Sequence, residues 1–146
     1  MTHSKSQIKE LLEAHDLHLR RDLGQNFMID ANTTRRIAAL AEVTSTDNVL
    51  EIGPGLGSLT LALHEYQPRI IAIEYDRGMV AALRDVVADT DNISVIEADA
   101  MNIDWHAVVE THDWVLVANL PYNIATPLVC DLLDDCLLYT SDAADE

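Results

Sequence analysis

The chain has 146 residues, 49% of them hydrophobic, and a formal net charge of −16. That length suits one domain or part of one. The apolar content excludes a disordered chain, and no apolar run approaches the ~18–20 residues of a membrane span. Two cysteines, Cys130 and Cys136, fit reduced thiols better than a disulfide framework. The N-terminal "MTHSKSQIKELLEAHD" lacks a signal-peptide core, so the expectation is a soluble, cytoplasmic protein without membrane contact. His15 and His18 share a segment, but no second ligand pair joins them, and no metal site is expected. The acidic balance argues against a simple nucleic-acid binder. It is uneven: residues 1–36 carry six Lys/Arg against five acids, and residues 37–146 carry three against twenty. Any phosphate-facing surface therefore belongs near the N-terminus, where a solvated helix of mixed charge is an equally good account.

In chain order, Ser4 and Gln7 have capping-box spacing, and Ile8, Leu11, Leu12 and His15 follow at helical intervals. A loop, "RRDLGQNFMID", leads to Asp30, which can cap a helix over about 31–43 with Ile37, Leu40 and Ala41 inward. The pattern then changes. "NVLEI" (48–52) reads as a strand, followed by "GPGLG" and a helix from about Ser58 to Tyr66. "RIIAIE" (69–74) is a second strand, "DRGMVAALRDVVA" (76–88) a helix, "ISVIE" (93–97) a third strand and "WVLVA" (114–118) a fourth. Thr126 and Pro127 suit the N-cap and first position of a last helix. Strands alternating with helices imply βαβ crossovers and a mainly parallel sheet. Strands that are nearly all apolar imply helices on both faces.

Ligands of such sheets bind beyond the carboxyl ends of the strands. Gly53, Glu74, Asp99 and Asn119 all fall there. "EIGPGLGSL" places Gly53, Gly55 and Gly57 in a strand-to-helix turn, where glycine allows positive φ and close approach of a ligand. Position 58 is Ser, so the dinucleotide fingerprint G-x-G-x-x-G is incomplete, and the spacing suits a ligand without a pyrophosphate. Glu74, 21 residues after Gly53, can accept both hydroxyls of a ribose. Asp99 can accept an adenine amino group, although taken singly it is an ordinary turn aspartate. In "NLPYN" the Asn119 side-chain oxygen and the Leu120 carbonyl offer two acceptors for an exocyclic amine. Pro121 stiffens the turn and Tyr122 supplies a face for a flat base. Two acceptors on one adenine N6 draw its lone pair out of the ring and make it nucleophilic. Gln25, Asn26 and Phe27 precede the sheet and could fold over a ligand as a lid.

Together, "LGQNFMID", "VLEIGPGLGSLT", "AIEYD", "EADAM" and "NLPYNIATP" resemble the ribosomal RNA adenine N6,N6-dimethyltransferases, the KsgA/RsmA family. The resemblance covers about residues 17–133 and implies an α/β, Rossmann-like class I methyltransferase fold using S-adenosyl-L-methionine. It implies dimethylation of two adjacent adenosines near the 3′ end of small-subunit ribosomal RNA, with that RNA or the pre-30S particle as partner. A monomer is expected. By position, the family's cofactor contacts fall on Asn26, Met28, Gly53, Glu74, Asp99 and Asn119, with Gly55 in the same loop. The catalytic stretch is Asn119, Leu120, Pro121 and Tyr122. The macrolide-resistance methylases of large-subunit RNA share this layout, but often carry Ser and Lys where this loop has Pro54 and Leu56.

The sequence departs from the family in having Met28 where Leu is usual, and in the tail "CLLYTSDAADE". The expected organisation is an N-terminal helix and lid segment over 1–30, a partial methyltransferase domain over 31–135 and a tail over 136–146 unlike the family. This suggests a truncated gene or a foreign C-terminal scar, with strand four short of a neighbour. The tail has no Lys or Arg from residue 131 onward, and it would repel RNA phosphates. Three readings therefore stand: the methyltransferase, a nicotinamide-dependent oxidoreductase domain that the missing third glycine disfavours, and a fragment that binds cofactor or RNA without turnover.

Overall fold

The computed structural model describes residues 2–17, 31–109, 113–118 and 138–140. Among these residues, ten elements follow one another: α1 (Lys5–Ala14), α2 (Ala31–Leu40), β1 (Asn48–Ile52), α3 (Ser58–His64), β2 (Arg69–Glu74), α4 (Arg77–Val86), β3 (Ile93–Glu97), α5 (Trp105–Val108), β4 (Trp114–Ala118) and β5 (Leu138–Thr140). The four expected strands appear with their expected bounds. The helices begin where local capping dictates. At α1, Ser4 Oγ accepts from the Gln7 amide at 3.3 Å, and Gln7 Oε1 accepts from the Ser4 amide at 2.7 Å, completing the capping box. At α4, Asp76 Oδ1 accepts from the amides of Gly78 and Met79. Asp30, expected to cap α2, lies outside the described residues, as do Thr126 and Pro127.

All pairings are parallel, and the strand order is β3-β2-β1-β4-β5. The chain thus winds outward from β1 to β3, then returns to the other side of β1 with β4. Side-chain alternation splits each apolar strand between two faces. Val49, Ile70, Ala72 and Val117 join Ala38, Ala62, Leu63 and Leu83 under α2, α3 and α4. Leu50, Ile52, Ile71, Ile73, Trp114 and Leu116 join Trp105 and Val109 on the opposite face. The sheet is a doubly wound α/β core, as the sequence pattern requires.

Three points differ from expectation. Strand four does have a neighbour on its outer side: Trp114 to Leu116 pair in parallel register with Leu138 to Thr140. The three-residue strand lies in the segment expected to stand apart from the sheet. It is only three residues long, which removes the length cue for a strand. In α2, Leu40 is 39% exposed, whereas Thr34, Ala38 and Ala41 are buried and Ile37 packs against the core. The inward stripe runs through 34, 37, 38 and 41, and position 40 falls about 120° from its centre at 100° per residue. Finally, α5 was not expected. Asp104 starts it by accepting from the His106 amide, and Trp105 anchors it in the core.

Candidate functional site

The strand order fixes the crevice. It reverses between β1 and β4, and in open α/β sheets the ligand site lies beyond the carboxyl ends at that point. Ile52 pairs with Ala118, so Gly53 and Asn119 are the first residues past the two strands that flank the reversal. On the other side Ile52 pairs with Ile73, the residue before Glu74.

The glycine loop between β1 and α3 is held in a left-handed path. Gly53, Gly55 and Gly57 have φ of 69°, 57° and 89°, a region that costs a side-chain-bearing residue roughly 1–2 kcal/mol. Gly57 is also the N-cap of α3, and a Cβ there would stand 2.5 Å from Leu83 Cδ1 in the core. Gly57→Ala should therefore cost roughly 2–4 kcal/mol, the backbone cost plus displacement of a buried leucine. Chemical denaturation checks this; a change under about 1 kcal/mol would show that the loop tolerates a side chain.

Glu74 ties this loop to β2. Its Oε1 accepts from the Gly55 amide at 3.0 Å and its Oε2 from the Asp76 amide at 2.9 Å. The residue is 8% exposed. Burial pushes its carboxyl above the usual carboxylate range, and the backbone amides partly offset this. The Tyr75 amide also bonds the carboxylate, which still keeps acceptor capacity for a further donor. The loop is further pinned by Gly53 N–H to the Ile73 carbonyl at 2.9 Å and Gly57 N–H to the Pro54 carbonyl at 3.0 Å. Of the expected site residues, Gly53, Gly55 and Glu74 are thus brought into one hydrogen-bonded unit.

Asp99 stands just past β3 but is engaged with its own turn. Oδ1 accepts from the Met101 amide at 2.9 Å and Oδ2 from the Asn102 side chain at 2.8 Å. This is the turn geometry that the sequence equally allowed, and it leaves one acceptor position on each oxygen. Asn26, Met28, Asn119, Leu120, Pro121 and Tyr122 lie outside the described residues.

Sequence reasoning passed over Glu51. It sits in β1 two residues before Gly53, is 1% exposed, and accepts from Thr60 Oγ1 at 2.6 Å. Burial, first, and the nearby Glu74 push its carboxyl up to about 8, against the lowering effect of Thr60. At neutral pH it is chiefly a neutral acid that joins β1 to α3 directly behind the glycine loop. The signal was available: an acid inside a strand apolar on both faces must be neutral or paired.

Comparison with known proteins decides the family. The ribosomal RNA adenine dimethylase profile matches residues 16–144. The chain belongs to this family. Among its relatives is the ribosomal RNA small subunit methyltransferase A of Rhodococcus opacus (strain B4), 44% identical over 135 residues, which are 89% of this chain and 45% of that protein. The backbone resembles the 23S rRNA methyltransferase ErmE with a TM-score of 0.68 at 30% identity, over 77% of this chain and 45% of that one. It also resembles a dimethyladenosine transferase from Plasmodium falciparum with a TM-score of 0.60 at 29% identity, over 72% and 37% of the two chains. The chain spans about half the length of the curated relatives it matches. The family match runs through β5, beyond residues 17–133 that carry the motif resemblance. The sheet is accordingly the Rossmann-like core of the adenine dimethylases. Among the described residues, no helix is long and apolar enough to cross a membrane.

Proposed function

We propose that this chain carries the cofactor site and the catalytic strand end of an S-adenosyl-L-methionine-dependent ribosomal RNA adenine N6,N6-dimethyltransferase. Its substrate would be two adjacent adenosines near the 3′ end of small-subunit ribosomal RNA, free or in the pre-30S particle, met in the cytoplasm by a monomer. The observation that carries this reading is the bond from Gly55 N–H to Glu74, which ties the loop leaving β1 to the end of β2. It sets a side-chain-free loop beside an acceptor pair suited to a ribose.

The residues fit that cofactor. The glycines leave room beside the backbone, Ser58 replaces the third glycine of a pyrophosphate loop, and Glu74 retains acceptor capacity. Bound S-adenosyl-L-methionine supplies an electrophilic methyl group. Glu74 would accept from the ribose hydroxyls, and Asp99, with Asn26 and Met28, would complete the adenosine site. Asn119 follows Ala118, the last residue of β4, which pairs with Ile52 next to Gly53. Its side-chain oxygen and the Leu120 carbonyl would accept the two N6 protons of the target adenine, Pro121 would hold the turn, and Tyr122 would stack on the base. No strong protein base is needed, because the methylated amine is acidic enough to release its proton to water.

Glu74→Ala should weaken binding of S-adenosyl-L-methionine and its demethylated product by roughly 1.5–3 kcal/mol, the scale of hydrogen bonds to a charged group. Calorimetry measures this, with NAD as comparison. Tighter NAD binding by the unmodified chain would overturn the cofactor assignment in favour of an oxidoreductase domain.

The likeness to ErmE favours a second reading, methylation of large-subunit RNA. The names of the curated relatives and the residues Pro54 and Leu56 support the small subunit. Methyl incorporation into separated subunit RNAs distinguishes the two.

A further inference from the structure

The glycine loop has a fourth attachment, and it comes from the far N-terminus. Leu56 precedes the N-cap Gly57, so its carbonyl lies outside the hydrogen-bond ladder of α3. That carbonyl is 2.7 Å from His3 Nε2, 53 residues away in sequence, so the ring nitrogen donates and the carbonyl accepts. His3 is 8% exposed and Leu56 3%. A buried carbonyl left without a donor would cost about 1–3 kcal/mol, so the contact is a requirement of this loop path. The rest of α1 follows from the same docking. Ile8 packs with Leu56, Met79 and Ala82, and Leu11, Leu12 and Leu17 close the cluster's edge. Leu17 lies so close to Gly78, in the first turn of α4, that a Cβ there would collide with it. At the other end of α1, His15 Nε2 stands 3.0 Å from Asp85 Oδ2 on α4.

We propose that α1 and the residues before it are a strap on the glycine loop, with His3 as the positioning residue that fixes Leu56, and through it the loop, in the ligand-receiving shape. This rests on the reading of that loop as the cofactor loop. The division of labour follows from geometry. Gly53 and Gly55 are held from the β2 side by Ile73 and Glu74, and Gly57 is held within the loop by Pro54. His3 holds the loop at Leu56, from a segment that precedes the whole sheet in sequence.

The test is amide hydrogen exchange on the ligand-free full chain, with His3→Ala, His3→Gln and His15→Ala compared with the parent. Exchange at Gly55 and Gly57 should rise about tenfold in His3→Ala, the loss of one buried hydrogen bond. Amides in the centre of β1 and β2 should be unchanged. His3→Gln keeps a donor and should recover part of the protection, and His15→Ala should leave the loop as it was. In parallel, S-adenosylhomocysteine should bind His3→Ala roughly three- to tenfold more weakly by calorimetry. Loop exchange unaffected by His3→Ala would overturn the proposal. So would an equal rise throughout β1 and β2, or an equal effect from His15→Ala. The exchange experiment needs no ligand, so it decides the strap even if the parent chain takes up no S-adenosylhomocysteine, the result that would refute the cofactor reading instead.

Discussion

Glu51→Gln should make the protein progressively more stable than the parent as pH rises from about 5 to 9. The parent carboxyl has an ordinary value of 4.5 and is raised to about 8 in the folded chain. Between those values the folded state holds a proton that the unfolded state has released. Stability therefore falls with pH through this group, by about 1.4 kcal/mol per pH unit. Its contribution is fully present below the unfolded value and is lost as pH climbs through the folded one. Over the whole window the change is on the order of 5 kcal/mol. Glutamine removes the titration while keeping an oxygen to accept from Thr60, whose hydroxyl sits 2.6 Å from the carboxylate. The other ionisable groups are common to both proteins, so the difference between their denaturation curves isolates this site. Melts at pH 5 and pH 9 should show near coincidence at the first and a clear advantage for the variant at the second. A constant offset at both would mean that Glu51 is not the titrating group. The position matters for function too, because a neutral acid behind Gly53 spares the glycine loop a second charge beside Glu74.

In a full-length version of the proposed dimethyltransferase, Asn119→Ala should slow methyl transfer to adenosine by about 10²–10³-fold. In the proposed reaction the side-chain oxygen would accept one of the two N6 protons, and its loss would leave the amine lone pair conjugated with the ring. The magnitude is taken by analogy with deleting one donor from an oxyanion hole, where a prearranged polar group meets developing charge. Affinity for S-adenosyl-L-methionine should fall less, since Gly53, Gly55 and Glu74 are untouched. Single-turnover kinetics on small-subunit ribosomal RNA separates the two effects. A rate within a few-fold of the parent, with binding also intact, would remove Asn119 from the chemistry and leave its stretch a strand-ending turn.

The strands and caps were legible because their causes are local. "NVLEI", "RIIAIE", "ISVIE" and "WVLVA" are short apolar runs bounded by turn residues, and each became a strand with those bounds. Ser4 with Gln7 satisfies amides within four residues of sequence. The glycine loop and Glu74 were legible because the rule for strand carboxyl ends depends only on where strands stop. β5 and α5 were missed for the complementary reason: three and four residues carry too little periodicity to register.

By itself, then, the sequence determined the alternation of strand and helix, the rim on which Gly53, Glu74 and Asp99 stand, and the family. These follow from hydrophobic period, turn chemistry and motif spacing. Only the tertiary structure decided that Gly55 and Glu74 share a hydrogen bond, that Asp99 turns its carboxylate on its own loop, that Glu51 holds its proton, and that His3 reaches Leu56. Each of those depends on which groups become neighbours once β2 is laid beside β1, and on how far water is driven from them. Neither the contact partner nor the local dielectric is a property of a residue's own segment. Both arise when separate segments close on one another, which is why a histidine at position 3 gives no sign in the sequence of the loop it holds at position 56.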